Sequence, residues 1–122
     1  MINPTKFVFD KAKSIEVEKN YIVDNYISEK DNIGYSMVRT HLNGKHPYMK
    51  NIKSNRTYYL LNGTAKFYFE NNIIEINEGE MLTIPHNTKY AFIGKFDAIL
   101  VDSPAFNSKD DIIYEEEIEE KY

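Results

Sequence analysis

Apolar and polar residues alternate along most of this chain in runs a few residues long, and Asn, Gly and Pro punctuate the runs. A period of two puts successive side chains on opposite faces of a strand, so the pattern predicts β-strands. Residues 14–27 hold one or two of them, with Asp24-Asn25 as a bend. Residues 35–42 alternate up to Asn43-Gly44, a dipeptide that favours tight turns. The same signal, Asn62-Gly63, closes a strand over 57–61, and strands over 65–70 and 73–76 follow, separated by Asn71-Asn72. The stretch 58–76 therefore predicts consecutive hairpins. Further strands are expected over 81–84 before Pro85, over 89–93 and over 96–101, and Ser103-Pro104 stops the last. The longest helical-looking stretch is the C-terminal tail. Short strands at this spacing, with so little helix, predict an all-β barrel or sandwich.

Composition narrows the class. With 122 residues, 42% hydrophobic and 28% charged, the chain is sized for a single globular domain. We place that domain over residues 1–122, with a barrel core over about 14–104 and a tail over 105–122. No cysteine is present, which removes disulfides and thiolate metal sites and is compatible with a reducing cytosol. The start, Met1-Ile2-Asn3-Pro4-Thr5-Lys6, lacks the basic and apolar regions of a signal peptide. No apolar run approaches the ~20 residues of a membrane span, so a cytoplasmic protein without a membrane partner is expected. The net charge of −4 is uneven. Residues 110–122 carry Asp110, Asp111, Glu115, Glu116, Glu117, Glu119 and Glu120 against Lys121 alone, which makes the tail −6 and leaves +2 for the body. A nearly neutral body excludes a nucleic-acid footprint. The tail is either a solvated segment or, through Ile112, Ile113, Tyr114 and Ile118, a short element packed on the barrel.

Two segments carry a resemblance. Tyr58-Tyr59-Leu60-Leu61-Asn62-Gly63 and Glu78-Gly79-Glu80-Met81-Leu82-Thr83-Ile84-Pro85-His86-Asn87-Thr88 are similar to the two signatures of the cupin superfamily. The resemblance runs from Gly44 to Pro104 and implies a single cupin-type β-barrel, a jelly roll or double-stranded β-helix. The family's first motif sets two histidines and a glutamate between glycines; from Gly44 to Gly63 those positions hold Lys50, Ile52 and Arg56. With one more residue before the glutamate position, the histidine positions become Met49 and Asn51. In the second motif, from Gly79, the histidine position holds Tyr90 and the asparagine position Gly94. A metal cupin needs imidazole and carboxylate donors converging inside the barrel, whereas Lys and Arg offer no lone pair and repel a cation. The resemblance therefore implies a barrel without its usual metal site, and no cofactor is expected.

Parity adds a candidate site. Arg56, Tyr58 and Leu60 share a face, as do Lys50 and Ile52, and the resemblance aims both faces inward. Lys50, Arg56, Tyr58 and Tyr90 would then line a pocket for an anionic metabolite, Tyr90 donating a hydrogen bond. Alternatively, both cations lie at the barrel mouth in solvent. His41 shares parity with Arg39, Met37 and Tyr35 and is the histidine given an inward address; His46, before Pro47, is expected in a surface loop, and His86 in the Pro85-His86-Asn87-Thr88 turn. The aromatic residues Tyr58, Phe67, Phe69, Tyr90 and Phe92 are mostly core fillers. No phosphate loop, nucleophile elbow or Ser-His-Asp spacing occurs.

Three functions stay open. The first is a metal-free cupin-like barrel binding a small polar, anionic metabolite. The second is a sugar or sugar-nucleotide isomerase or epimerase, and the third a scaffold with a filled barrel. An inward histidine near Tyr90 or Lys50 would favour the enzyme. A homodimer is expected by family analogy, with Phe7-Val8-Phe9, Ile15 and Val17 as its apolar edge.

Overall fold

The computed structural model describes residues 3–7 and 20–119, and the backbone of 15–18. Val8, Phe9 and the side chains of Ile15 and Val17, invoked above for a dimer edge, lie outside the described residues. Among the described residues eight strands form one antiparallel sheet: β1 (Ile15–Glu18), β2 (Tyr21–Ile27), β3 (Ser36–Asn51), β4 (Asn55–Tyr68), β5 (Ile73–Asn77), β6 (Met81–Ile84), β7 (Tyr90–Ser103) and β8 (Asp111–Ile113). The all-β expectation holds. Among the described residues no helix is long and apolar enough to cross a membrane.

Three long strands organise the sheet, in the order β3-β7-β4. Their outer edges are each shared by two short strands: β2 and β8 on β3, β6 and β5 on β4. The sheet thus has two halves. One half contains β1, β2, β6 and the adjoining ends of the long strands; the other contains β8, β5 and their opposite ends. Each long strand passes from one half to the other, folding the sheet around its apolar face.

The passage explains why two predicted turns are absent. Asn43-Gly44 lies inside β3 and Asn62-Gly63 inside β4. Gly44 faces Gly94, Gly94 faces Ala65, and Gly63 faces Phe96, so the glycines lie across neighbouring strands where the halves meet. A Cβ on Gly63 would come within 2.0 Å of the Lys95 carbonyl oxygen, and one on Gly94 within 2.2 Å of that of Thr64. These positions need glycine for close backbone approach rather than for chain reversal. The Asn71-Asn72 hairpin between β4 and β5 does form, and the strands expected over 89–93 and 96–101 are one, β7.

Parity holds locally and flips at two bulges. In β3 the extra residue lies between His46, opposite Phe92, and Met49, opposite Tyr90. Pro47, which has no N–H for the ladder, sits within it. In β4 the shift lies between Leu60 and Asn62. Inward residues are therefore Thr40, Leu42, His46, Met49 and Asn51 on β3, and Arg56, Tyr58, Leu60, then Ala65 and Phe67 on β4, all buried. Phe67, Tyr90, Phe92 and Phe96 fill the centre of the core with Tyr58.

Up to Glu119 the acidic tail is packed along the barrel and forms no α-helix. After a 3-10 turn at Ser108–Asp110, β8 pairs with the end of β3, Asn51 opposite Asp111. Beyond it, Tyr48 N–H donates to the Glu116 carbonyl and Tyr114 N–H to the Tyr48 carbonyl. Ile118 is buried on the outer face against Ala91 and Ile93. Lys89 Nζ donates to Glu116 at 2.6 Å and lies over the Tyr48 and Tyr114 rings.

Candidate active site

One end of the barrel interior is not filled. A cavity of about 150 Å³ lies where β2 and β7 finish and β4 begins, and the tail completes its wall. Tyr21 and Asn25 come from β2, Ser36, His46 and Met49 from β3, Arg56 from β4, Asp102 from β7, and Phe106, Asp111 and Ile113 from the tail. Phe106 and Ile113 are also exposed, so the cavity opens to solvent beside them. A space of this size encloses one five- or six-membered ring, since a 150 Å³ cavity holds benzene, and the rest of a larger ligand would lie in the opening beside Phe106 and Ile113.

Arg56 dominates the cavity floor and is only 4% exposed. Its Nε and Nη2 donate to the two oxygens of Asp102 at 2.9 and 3.0 Å, a bidentate pair. Nη2 also donates to Asp111 Oδ1 at 3.2 Å, and Nη1 to the Tyr90 hydroxyl at 3.2 Å. The guanidinium lies 5.7 Å from the Phe106 ring centroid. Burial would lower its pKa, but Tyr90, Tyr58 and Asp102 around it raise it, so Arg56 stays charged. Burial raises the Asp102 carboxyl; Arg56 opposes that rise and Asp111 adds to it.

Behind Arg56 the Tyr58 and Tyr90 hydroxyls are 2.7 Å apart. Burial raises both phenols. Phe67 and Phe92 pack around them, ring centroids 4.9 Å from Tyr58 and 5.9 Å from Tyr90 respectively. Neither hydroxyl lines the cavity. They form the packed layer on which Arg56 rests.

His46 occupies the opposite wall, 2% exposed. Its ring stacks on Phe92 (centroids 4.8 Å, interplanar 4°) and meets the edge of Tyr21 at 5.4 Å. Nδ1 lies 2.8 Å from the Pro47 carbonyl, which can only accept, so Nδ1 carries a proton. In the neutral ring the lone pair is then on Nε2, the form a general base needs. Tyr21 is buried beside it, and burial raises its phenol, which stays protonated.

Of the residues proposed from sequence, the structure puts only Arg56 at the cavity. Tyr58 and Tyr90 join it from behind. Lys50 points away: the β3 bulge turns Met49 and Asn51 inward, so the longer motif spacing is the correct register, and Lys50 lies on the outer face opposite Ile112. Ile52 is 45% exposed. Arg56 already donates to four oxygens and, at 4.0 Å, to the Met49 sulfur, and two carboxylates face its single charge. The pair of cations expected to hold an anion is therefore not formed. His41 also faces outward, and His86 sits in the exposed turn, its Nδ1 3.1 Å from Asn55 Oδ1. The sequence reading missed His46, Tyr21, Asp102 and Asp111. Parity with Leu42 was the available signal for His46, and Pro47 the signal for the bulge after it, as a proline inside a strand marks a bulge. At the ligand positions of a metal cupin stand Met49, Asn51, Arg56 and Tyr90, and among the described residues no group of three His, Asp or Glu side chains is placed to hold a metal ion.

His41 has a structural task instead. Its Nδ1 is 2.6 Å from Asp97 Oδ1 and its Nε2 2.7 Å from Asp24 Oδ2, tying β2, β3 and β7 together. Arg39 also reaches Asp97, at 3.3 Å. Burial works against the imidazolium, but the Asp24 and Asp97 hydrogen bonds and charges outweigh it and raise the pKa above 6.5. A raised folded value adds stability that is complete below pH 6.5 and lost as pH rises through the folded value. Urea unfolding of wild type between pH 6 and 9 is expected to show that decline, and His41→Gln to flatten it. Parallel profiles for the two proteins would refute the assignment.

No family model matches the chain, and no curated protein matches it. Solved structures do. The nucleoside dehydratase PAC13 of Streptomyces, as a variant with uridine, superimposes with a TM-score of 0.78 at 23% identity, covering 94% of this chain and 94% of its own. KdgF from Halomonas sp. gives 0.72 at 14% identity, covering 86% and 99%. A cupin-2 domain protein from Shewanella frigidimarina gives 0.54 at 19%, covering 59% and 72%. At these identities the likeness is one of fold: the chain is a cupin-type β-barrel.

Proposed function

We propose that this barrel is a metal-independent enzyme that abstracts a proton from a small, uncharged, hydroxyl-bearing substrate, with His46 as the base. The observation that carries the reading is His46 itself, an imidazole on the cavity wall whose Nδ1–H is fixed on Pro47 and whose lone pair is therefore on Nε2. Nε2 takes the proton from a carbon beside a carbonyl. The electron pair left behind delocalises onto the carbonyl oxygen, and the Tyr21 phenol, kept protonated by burial, donates a hydrogen bond to that oxygen. Return of the proton to the opposite face of the same carbon is an epimerisation, and its return to a neighbouring carbon an isomerisation. Expulsion of a β-hydroxyl, which leaves as water with the imidazolium proton, is a dehydration.

The likeness to PAC13 supports dehydration of a nucleoside or sugar. That protein is named a nucleoside dehydratase, and its variants with uridine carry a histidine-to-glutamine or a tyrosine-to-phenylalanine substitution, the residue types that meet here. The open cavity argues against a filled scaffold.

The test follows the proton. Wild-type protein in D₂O, given a panel of uncharged aldoses, ketoses and nucleosides oxidised to a carbonyl on the sugar, is expected to wash deuterium into the carbon-bound position beside that carbonyl, visible by NMR. His46→Gln should lower that rate by about 10²–10⁴-fold with unfolding unchanged. No exchange in any compound, or full exchange by the folded variant, would overturn the assignment.

A further inference from the structure

Asp111 belongs to the acidic tail, yet its carboxylate reaches the cavity. Arg56 Nη2 and Asn51 Nδ2 both donate to the same oxygen, Oδ1, at 3.2 and 2.9 Å. Oδ2 receives no hydrogen bond among the described residues, and the side chain is 15% exposed. Asp102 offers no such atom, because both of its oxygens are taken by Arg56 and the side chain is 2% exposed. The cavity therefore presents one carboxylate oxygen with vacant lone pairs. Together Asp102 and Asp111 set two negative charges against the one positive charge of Arg56.

The location is fixed from several sides. The β8 ladder sets Asp111 opposite Asn51, and the segment before it is anchored where Phe106 N–H donates to Ser36 Oγ at 2.8 Å. Asn51 Oδ1 in turn accepts from the Lys53 and Ser54 N–H groups, which orients its amide toward Asp111. Asp111 is held rigidly enough to discriminate between ligands.

We infer that Asp111 Oδ2 is the specificity determinant of this cavity: it accepts a hydrogen bond from a ligand hydroxyl, and the excess negative charge rejects the phosphorylated form of the same ligand. The inference rests on the reading that the cavity takes a hydroxylated, nucleoside-like molecule. A charge-assisted hydrogen bond makes the hydroxyl worth about ten- to a hundredfold in affinity. Among the described residues that line the cavity, a phosphate would face two carboxylates and no unoccupied cationic donor.

The experiment is calorimetric or NMR titration of the whole protein with three probes: uridine, 2′,3′-dideoxyuridine and uridine 5′-monophosphate. Uridine is expected to bind at least about tenfold tighter than either of the others. Asp111→Asn should weaken uridine about tenfold or more while narrowing its lead over the monophosphate, since one repelling charge has gone. The dideoxy comparison on wild type decides the hydroxyl contact even if that variant does not fold. Monophosphate binding as tight as uridine, equal binding of the dideoxy compound, or a folded Asp111→Asn with unaltered uridine affinity would each overturn the inference. Binding of none of the three also overturns it, whereas deuterium exchange with another substrate would leave the His46 reading standing.

Discussion

Arg56→Met is expected to destabilise the protein by about 3–5 kcal/mol in urea unfolding at neutral pH, because it leaves buried carboxylate charge without its partner. The Asp102 side chain is 2% exposed and accepts two hydrogen bonds from Arg56 alone, so water cannot replace what the guanidinium supplies. Asp111 close by makes matters worse by like-charge repulsion. Two companion measurements separate this cause from loss of packing. In the variant the Asp102 carboxyl should take up a proton, so the deficit should shrink as pH falls from 8 to 5. The double variant Arg56→Met, Asp102→Leu should recover a large part of the loss, since apolar replacements of a buried ion pair are often well tolerated. A cost below about 1 kcal/mol for the single variant would mean that the Arg56 network is not a buried ion pair of this kind.

Gly63→Ala is expected to cost about 3–5 kcal/mol and to compromise folding at ordinary temperatures, as total stabilities run only to about 5–15 kcal/mol. Two penalties combine. The backbone at Gly63 has φ +85°, which disfavours a side chain by about 1–2 kcal/mol. The new methyl would also fall 2.0 Å from the Lys95 carbonyl oxygen and 2.8 Å from the Phe96 Cα, both backbone atoms of the central strand that cannot rotate aside. Gly79→Ala isolates the first penalty: φ there is +83°, but nothing lies within 4 Å of the added atom. Its cost should stay near 1–2 kcal/mol. Equal losses in the two variants would show that the strand passage at Gly63 tolerates a side chain and that the close approach is not what requires glycine.

The same glycine shows how far local pattern reaches. An Asn-Gly pair states that a positive φ is tolerated, and a turn is the commonest use of one. Whether the chain reverses there depends on which strands lie alongside, and β7 runs past both Asn-Gly pairs. Asn71-Asn72 was read by the same rule and does close a hairpin, because the strands on either side pair with each other.

What the sequence by itself determined was fold class, strand content and the facing of residues within unbroken runs. Alternation required an all-β chain, and Arg56, Tyr58 and Leu60 point inward together because no irregularity separates them. That the family's ligand positions hold no histidine or glutamate also followed from the sequence, whichever spacing was used. The tertiary structure decided the site. A bulge at Pro47 reverses parity after His46, bringing Met49 and Asn51 inward and turning Lys50 out, and parity counted along a chain carries no record of an extra unpaired residue. Asp111 enters the cavity through pairing with a strand sixty residues earlier, a contact no local pattern encodes. Arg56 illustrates both halves: its inward direction is a local property, whereas its charge became unavailable to an anion only when Asp102 and Asp111 arrived from distant parts of the chain.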